Sequence, residues 1–238
     1  AGVWRERLID LTTAGDALEW TSRTLPATDG LDLLPALAVG AENQIYEVCP
    51  AAHVIIQEIS RMIMMQKGVA LFIDYGPAES AHGDSFQAVR NHRPVDPLTR
   101  PGAADLTAHV YFSAFAAAAT GGGATALGPI SQRAFLTVLG LPTRADRLAA
   151  GNPDQAAAVA AAQHRLIDPA EMGILFKVLA ITSPGLATPA GFADPASAPA
   201  HNQRRPYPGL RSTRFPVSRS ATPFTPARAA SAAGFTNR

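Results

Sequence analysis

Five consecutive apolar residues, Val69-Ala70-Leu71-Phe72-Ile73, followed at once by Asp74-Tyr75-Gly76-Pro77, constrain this chain more than any other stretch. An apolar run of that length, bounded by Gly and Pro, reads as a strand covered on both faces, as in the parallel sheets of α/β proteins. A helix-like segment precedes it. Pro50 suits the first helical turn, where its missing N–H costs nothing. From Ala51 to Gln66, Val54, Ile55, Ile59, Met62 and Ile63 recur at three- and four-residue spacing and form one apolar stripe. Lys67-Gly68 ends the segment with a cation for the helix dipole and a glycine for a left-handed cap. Helix followed by strand is half of an α/β repeat.

The rest of the chain follows the same logic. Trp4–Thr13 and Ala17–Leu25 read as two strands joined about Ala14-Gly15-Asp16, a hairpin, with a turn at Asp29-Gly30. Asn43–Val48 reads as a short extended run. Leu106–Ala119 reads as a helix, and Gly121-Gly122-Gly123 as its stop rather than a cofactor loop. Ala124–Leu127 reads as a strand, Ser131–Leu139 as a short helix closed by Gly140-Leu141-Pro142, and Asp154–Leu166 as an Ala-rich helix. Gly173–Thr182 reads as the last strand. The expected architecture over residues 41–183 is a mostly parallel sheet, with Val69–Ile73 central and Gly173–Thr182 at an antiparallel margin. Beyond Gly185, Pro, Ala, Ser, Thr and Arg dominate and apolar periodicity is lost. Such a composition cannot bury enough surface to offset its ordering entropy, so residues 185–238 are expected to be a disordered basic tail.

Charge is distributed unevenly. The 238 residues carry a formal net charge of +1, but residues 1–200 sum to −6 and the remaining residues to +7, with seven Arg and no acid. A nucleic-acid surface over the folded body is therefore not indicated. Cys49 is the single cysteine, which excludes an intramolecular disulfide and a Cys-based metal site, and it is expected to be a small buried apolar residue. No run of 18 apolar residues occurs, so no membrane-spanning helix is expected.

The chemistry-bearing residues cluster after the central strand. In open α/β sheets ligands bind beyond the carboxyl ends of strands, which places Asp74, Tyr75 and Gly76 at a crevice. Asp84, Gln87, Arg90, His92, Asp105 and His109 follow within one long loop, and Gln132 comes later. Carboxylates can hold a guanidinium bidentately and accept its proton. Asp84 and Asp105 equally suit turn or helix-cap roles, His92 and His109 equally suit structural roles, and Gln87 and Gln132 suit tying loops to backbone. Arg5-Glu6-Arg7 reads as cross-strand charge pairing on the hairpin. His82, His92 and His109 lack helical ligand spacing, so no metal site is expected. No Gly-x-Ser-x-Gly turn is present.

The runs Leu71–Gly76, Gly83–His92 and Pro101–Phe112 resemble the MidA-type family of S-adenosylmethionine-dependent methyltransferases. That family includes a mitochondrial arginine methyltransferase needed for assembly of respiratory complex I. The resemblance extends through Gly2–Arg7, Glu47–Ala51, Gly128–Gln132 with Phe135, and Arg165–Ile167 with Met172–Val178. Ser85, Phe86 and Tyr111 depart from the family pattern. The resemblance implies the C-terminal portion of a class I, Rossmann-like methyltransferase. It further implies an inserted β-hairpin on the substrate side within residues 1–40, an α/β half-domain over 41–184, and the tail over 185–238. The implied reaction is methylation of a protein arginine, with S-adenosylmethionine as cofactor. The implied partner is a protein substrate, such as a complex I subunit, in a bacterial cytoplasm or a mitochondrial matrix. The family's glycine-rich turn and acidic motif precede the Trp-Arg-Glu-Arg segment, so the catalytic residues are expected before Ala1. This chain alone is expected to bind the cofactor weakly or not at all. The alternative is a non-catalytic remnant that binds a protein partner.

Overall fold

The computed structural model of the chain describes residues 4–25, 44–79, 82–192 and, as backbone, 233–237. The architecture is mixed α/β, as expected. Three small sheets organise the described residues, and all their pairings are antiparallel. In the first sheet, β1 (Trp4–Leu11) and β2 (Leu18–Thr24) form the expected hairpin, with Glu6 opposite Arg23. β3 (Ile45–Val48) belongs to this sheet rather than to the α/β layer. The turn expected at Asp29-Gly30 lies outside the described residues.

The central layer contains β4 (Val69–Tyr75), β8 (Thr125–Ser131) and β9 (Phe176–Thr182), in the order β4-β9-β8. This corrects two expectations. β9 is antiparallel to both neighbours, as expected of the last strand, so β4 and β8 run parallel to each other, but β9 is the middle strand rather than a margin, and β4 lies at an edge among the described residues rather than at the centre. Both strands are nearly continuous apolar runs, and such a run reports burial on two faces without reporting strand order. β9 begins at Phe176 rather than Gly173, because Met172–Leu175 forms a single helical turn, α6, ahead of it. Its register with β4 runs from Tyr75 opposite Phe176 to Val69 opposite Thr182. Its pairing with β8 is interrupted between Leu127 and Ile130.

Helices α1 (Pro50–Gln66) and α2 (Phe112–Gly121) cover one face of this layer. The core there consists of Ile56, Ile63, Phe112, Ala118, Ala119, Ala124, Leu179 and Ile181, with Ala70 and Phe72 of β4 packed against it. The alanines of α2 keep the helix surface low, which allows close approach to the strands. Buried Ser60 donates to the Ile56 carbonyl at 2.7 Å, so its hydroxyl is satisfied. Ser183, just past β9, donates to the Ile63 carbonyl at 2.6 Å and ties the strand end to the helix end. On the other face, α3 (Gln132–Val138) and α6 pack on β9. Helix α1 ends as its sequence requires, except that Lys67 rather than Gly68 takes the left-handed position, at φ 55°. Cys49 precedes α1 and is exposed, not buried, because it sits at the strand–helix junction.

Three further expectations are corrected. The helix expected over Leu106–Ala119 begins only at Phe112. Asp105–Thr107 is instead a strand, β7, paired with β5 (Gln87–Arg90), which also pairs β6 (Arg93–Val95). Gly140-Leu141-Pro142 closes α3 but also opens α4 (Leu141–Gly151), with Gly140 at φ 84° and a proline in the first turn. α5 (Ala156–Ile167) follows after a short 3-10 turn. The tail is not disordered throughout. Phe192 packs against Phe135 with ring centroids 5.5 Å apart, and β10 (Ala233–Asn237) inserts between β1 and β3. Composition averaged over the tail conceals a five-residue segment whose pairing is made by backbone. Residues 193–232 lie outside the described residues.

Leu179 is fully buried at the centre of the core. Leu179→Ala is expected to lower unfolding free energy by about 2–5 kcal/mol. Denaturant titration checks this, and a loss below about 1 kcal/mol would contradict the placement of the core.

Candidate functional site

A pocket of about 490 Å³ opens where β4 ends and β9 begins. Its walls come from Gly76 and Pro77 after β4, His82–Ser85, His109 and Tyr111 ahead of α2, and Ile174, Leu175 and Lys177 around α6 and β9. The return of the chain past this mouth depends on Gly76. A side-chain carbon there would lie 2.2 Å from the Val110 carbonyl oxygen, so only glycine lets the two backbones pass this closely. The Val110 amide donates to the Tyr75 carbonyl at 3.1 Å and fixes the crossing. The Tyr75 ring meets His109 and Phe176 edge-on, with centroids 5.8 and 5.4 Å apart.

The charged groups of the wall are bonded to the protein itself. Arg7, from β1, makes a bidentate pair with Asp84 at 2.5 and 2.8 Å, and its guanidinium lies 4.3 Å from the centroid of Trp20. Hydrogen bonding to Arg7 holds the Asp84 carboxyl below the usual carboxylate range, and the Arg7 guanidinium is raised in turn. Glu6 meets Arg23 across the hairpin at 2.6 Å, so the expected cross-strand pairing holds for Glu6, while Arg7 reaches the pocket loop instead. Glu47, on β3, accepts the Ser85 amide at 2.9 Å, the Ser85 hydroxyl, and the Tyr111 hydroxyl at 3.4 Å. The Ser85 oxygen accepts the His109 amide at 2.8 Å. One carboxylate thus clamps both sides of the pocket mouth. Lys177 donates to the carbonyls of Gly76 (3.1 Å), Leu175 (3.4 Å) and Ile174, and burial lowers its pKa.

Of the residues singled out from the sequence, Gly76, Asp84 and His109 line the pocket. Tyr75 supports His109. Asp74 accepts the amide of Tyr75 at 2.8 Å and does not line the pocket. Gln87, Arg90 and Asp105 lie on the small sheet β6-β5-β7, away from the pocket wall, and His92 occupies the exposed hairpin turn with Asn91, both at positive φ. Gln132 is buried and donates to the Leu166 carbonyl at 2.8 Å, a tie between segments. Arg7, Glu47, Ser85, Tyr111 and Lys177 were not singled out as site residues. Their partners lie 38 to 101 residues away in several cases, as in Ser85–Glu47 and Lys177–Gly76, and a local reading carries no signal of such pairs. Among the described residues no group of three or more His, Cys, Asp or Glu side chains could hold a metal ion, and no helix is long and apolar enough to cross a membrane.

The family described as "Putative S-adenosyl-L-methionine-dependent methyltransferase" matches residues 1–130. The chain belongs to this methyltransferase family. It is 34% identical over 182 residues to the mitochondrial protein arginine methyltransferase NDUFAF7 of Bos taurus, covering 75% of this chain and 40% of that protein. The Rattus norvegicus counterpart is 39% identical over 137 residues, covering 57% and 31%. A crystal structure from Burkholderia thailandensis, solved with bound S-adenosyl-homocysteine, aligns with a TM-score of 0.69 at 30% identity, covering 80% of this chain and 50% of that one. The chain therefore spans about half the length of that solved neighbour and less than half of these curated relatives. The family's cofactor is S-adenosyl-L-methionine. The pocket's polar groups do not fit it: Gly76 is filled by Val110 backbone, and the carboxylates of Asp84 and Glu47 are already bonded, which leaves neither an open backbone cradle nor a carboxylate for ribose hydroxyls.

Burial pushes the Tyr111 hydroxyl up to about 12 from 10.0, with the Glu47 charge and hydrogen bond adding to the effect. Between those values the unfolded chain loses this proton while the folded chain keeps it, so stability falls as pH rises through the window. Ultraviolet titration should show one tyrosine ionising near 12, moved toward 10 in Glu47→Gln. A midpoint that stays at about 12 in the variant would contradict the clamp.

Proposed function

We propose that this chain forms the acceptor-facing part of a methyltransferase that modifies a protein arginine. The observation that carries the reading is the pocket at the carboxyl end of β4, the position where α/β folds receive ligands. The relatives named as protein arginine methyltransferases supply the acceptor class. Asp84 is committed to the Arg7 guanidinium in a bidentate pair and so positions the pocket loop rather than receiving the acceptor. His109 and Tyr111 line the same pocket and supply polar atoms for an acceptor segment.

In this reading the cofactor is held by a segment that the described residues do not include, and methyl transfer needs both. The acceptor is a folded or extended protein, a subunit of respiratory complex I being the class that the sequence resemblance implies. The compartment follows the host: the matrix in a mitochondrion, the cytoplasm in a bacterium. A second reading, a non-catalytic module that binds a protein partner, is favoured by one observation: Arg7, Asp84, Glu47 and Lys177 are all engaged internally.

A chimera separates the two. Residues 44–192 of this chain replace the matching portion of the Burkholderia thailandensis protein, and the product is incubated with tritiated S-adenosylmethionine and a protein extract. Label recovered as methylarginine after acid hydrolysis is the expected result. A chimera that binds S-adenosyl-homocysteine and labels no arginine would overturn the reading. The 238-residue chain alone, titrated calorimetrically with S-adenosylmethionine, should show no micromolar affinity, since losing two or three hydrogen-bonded partners at about 1–3 kcal/mol each weakens binding by roughly two to five orders of magnitude.

A further inference from the structure

Lys177, a cation of the pocket wall, meets no carboxylate among the described residues. Its ammonium lies among the carbonyls of Gly76, Leu175 and Ile174, which use its donors and leave its charge in place. Asp74 stands directly opposite Lys177 in the β4–β9 register, the natural place for a cross-strand ion pair. The Asp74 carboxylate nevertheless accepts the Tyr75 amide at 2.8 Å and does not line the pocket. Ser131, opposite Lys177 on β8, is uncharged and caps α3 by accepting the Ala134 amide at 3.1 Å. Burial lowers the Lys177 pKa, as it does for an ammonium that water covers poorly.

The rest of the wall suits an anion. Asp84, its one acid, is neutralised by the bidentate pair with Arg7. Glu47 stands behind Ser85 and Tyr111 and is not part of the wall. His82 and His109 are part of it, and each neutral imidazole carries one N–H donor. The His109 ring meets Tyr75 at 5.8 Å and the His82 ring meets Tyr46 at 6.2 Å, contacts that orient both imidazoles. Pro77, Ile174 and Leu175 add apolar surface beside these donors, so a cavity of about 490 Å³ can take the methylenes of an acidic side chain together with its carboxylate. A phosphate dianion calls instead for a cluster of guanidinium groups, and the wall offers a single fixed cation.

We infer that this pocket receives the carboxylate of an acidic residue of the acceptor segment, with Lys177 selecting it by charge and His82 and His109 donating to it. The acceptor arginine is then held outside the pocket, a few residues away along the same segment. The 3.4 Å contact with Leu175 is the longest that Lys177 makes, and it is the one given up when the ammonium turns to the carboxylate. A purely structural Lys177 would hold the same carbonyls and be indifferent to the charge of a bound peptide. The inference rests on the acceptor-facing reading above for the identity of the segment.

The probes are fluorescein-labelled peptides with one arginine and one glutamate set one to four residues apart, and a matching series with glutamine in place of the glutamate. Both series are titrated by anisotropy into the 238-residue protein. The best glutamate peptide should bind about tenfold more tightly than its glutamine counterpart, the difference that one charge-assisted hydrogen bond makes. Lys177→Met should abolish that preference and Lys177→Arg should keep it. Arg147→Met, on the exposed surface of α4, should leave it unchanged. The readout is the ratio between the two peptides, so a general loss of stability in Lys177→Met, followed by thermal unfolding, does not imitate the result. Equal affinities for the two series, no binding by either, a preference that survives in Lys177→Met, or displacement of the glutamate peptide by S-adenosyl-homocysteine would each overturn the inference. The chimera with the Burkholderia thailandensis protein separates this result from the acceptor reading. A glutamate preference in binding with no arginine labelled defeats the acceptor reading and leaves the carboxylate pocket intact, whereas arginine labelled equally in both series does the reverse.

Discussion

Burial of β9 on both faces is the constraint on which the rest of the structure depends. Val178, Leu179, Ala180 and Ile181 are fully covered, and no other strand among the described residues is so enclosed. Its backbone is satisfied by β4 on one side and β8 on the other. Its alternating side chains serve two layers, with Leu179 and Ile181 under α1 and α2 and the intervening residues toward α3 and α6. Buried backbone polar groups have to be paired, so strand order follows once the most apolar strand is placed in the middle. The pocket inherits its position from this arrangement, because it opens where β4 ends and β9 begins.

The pocket mouth is held by few interactions, and they are long-range. Gly76 permits the Val110 crossing, Glu47 joins Ser85 and Tyr111, and Arg7 reaches Asp84 from the hairpin. Each links the α/β layer or its loops to a segment distant in sequence. The Arg7–Asp84 pair lies at a partly exposed surface, where ion pairs contribute little to stability, and its bidentate form gives position more than energy. Orientation of the hairpin over the loop is the part of the design that it controls. That division suits a pocket whose walls come from different stretches of chain.

The sequence revealed the hairpin, helix α1 and the strand character of β4, since each carries a local signal: alternating or periodic apolar residues, a proline at a helix start, a glycine at a turn. The antiparallel direction of the last strand was expected and holds, but strand order was not legible, because the runs Val69–Ile73 and Phe176–Thr182 look alike and neither says which will be flanked on both sides. Asp105 and Thr107 suit a helix cap as well as a strand, so β7 carries no local signal that separates it from the start of α2. Gly140 ends α3 and Pro142 starts α4, two signals so close that they read as a single stop. At the site, Asp84, His109 and Gly76 were legible from their place after the strand. Glu47 and Lys177 were not, since a carboxylate on a short strand and a lysine at a strand start gain meaning only when Ser85 and Gly76 are brought to them.

The central claim, that β9 is the axis of the fold, is tested most directly by native-state hydrogen exchange. Amides of Val178–Ile181 should be the slowest in the chain and should exchange only through global unfolding, while those of the β1–β2 hairpin exchange through smaller openings. If the β9 amides exchanged as fast as those of the hairpin, the strand would not be the element on which the sheet, the helices and the pocket depend.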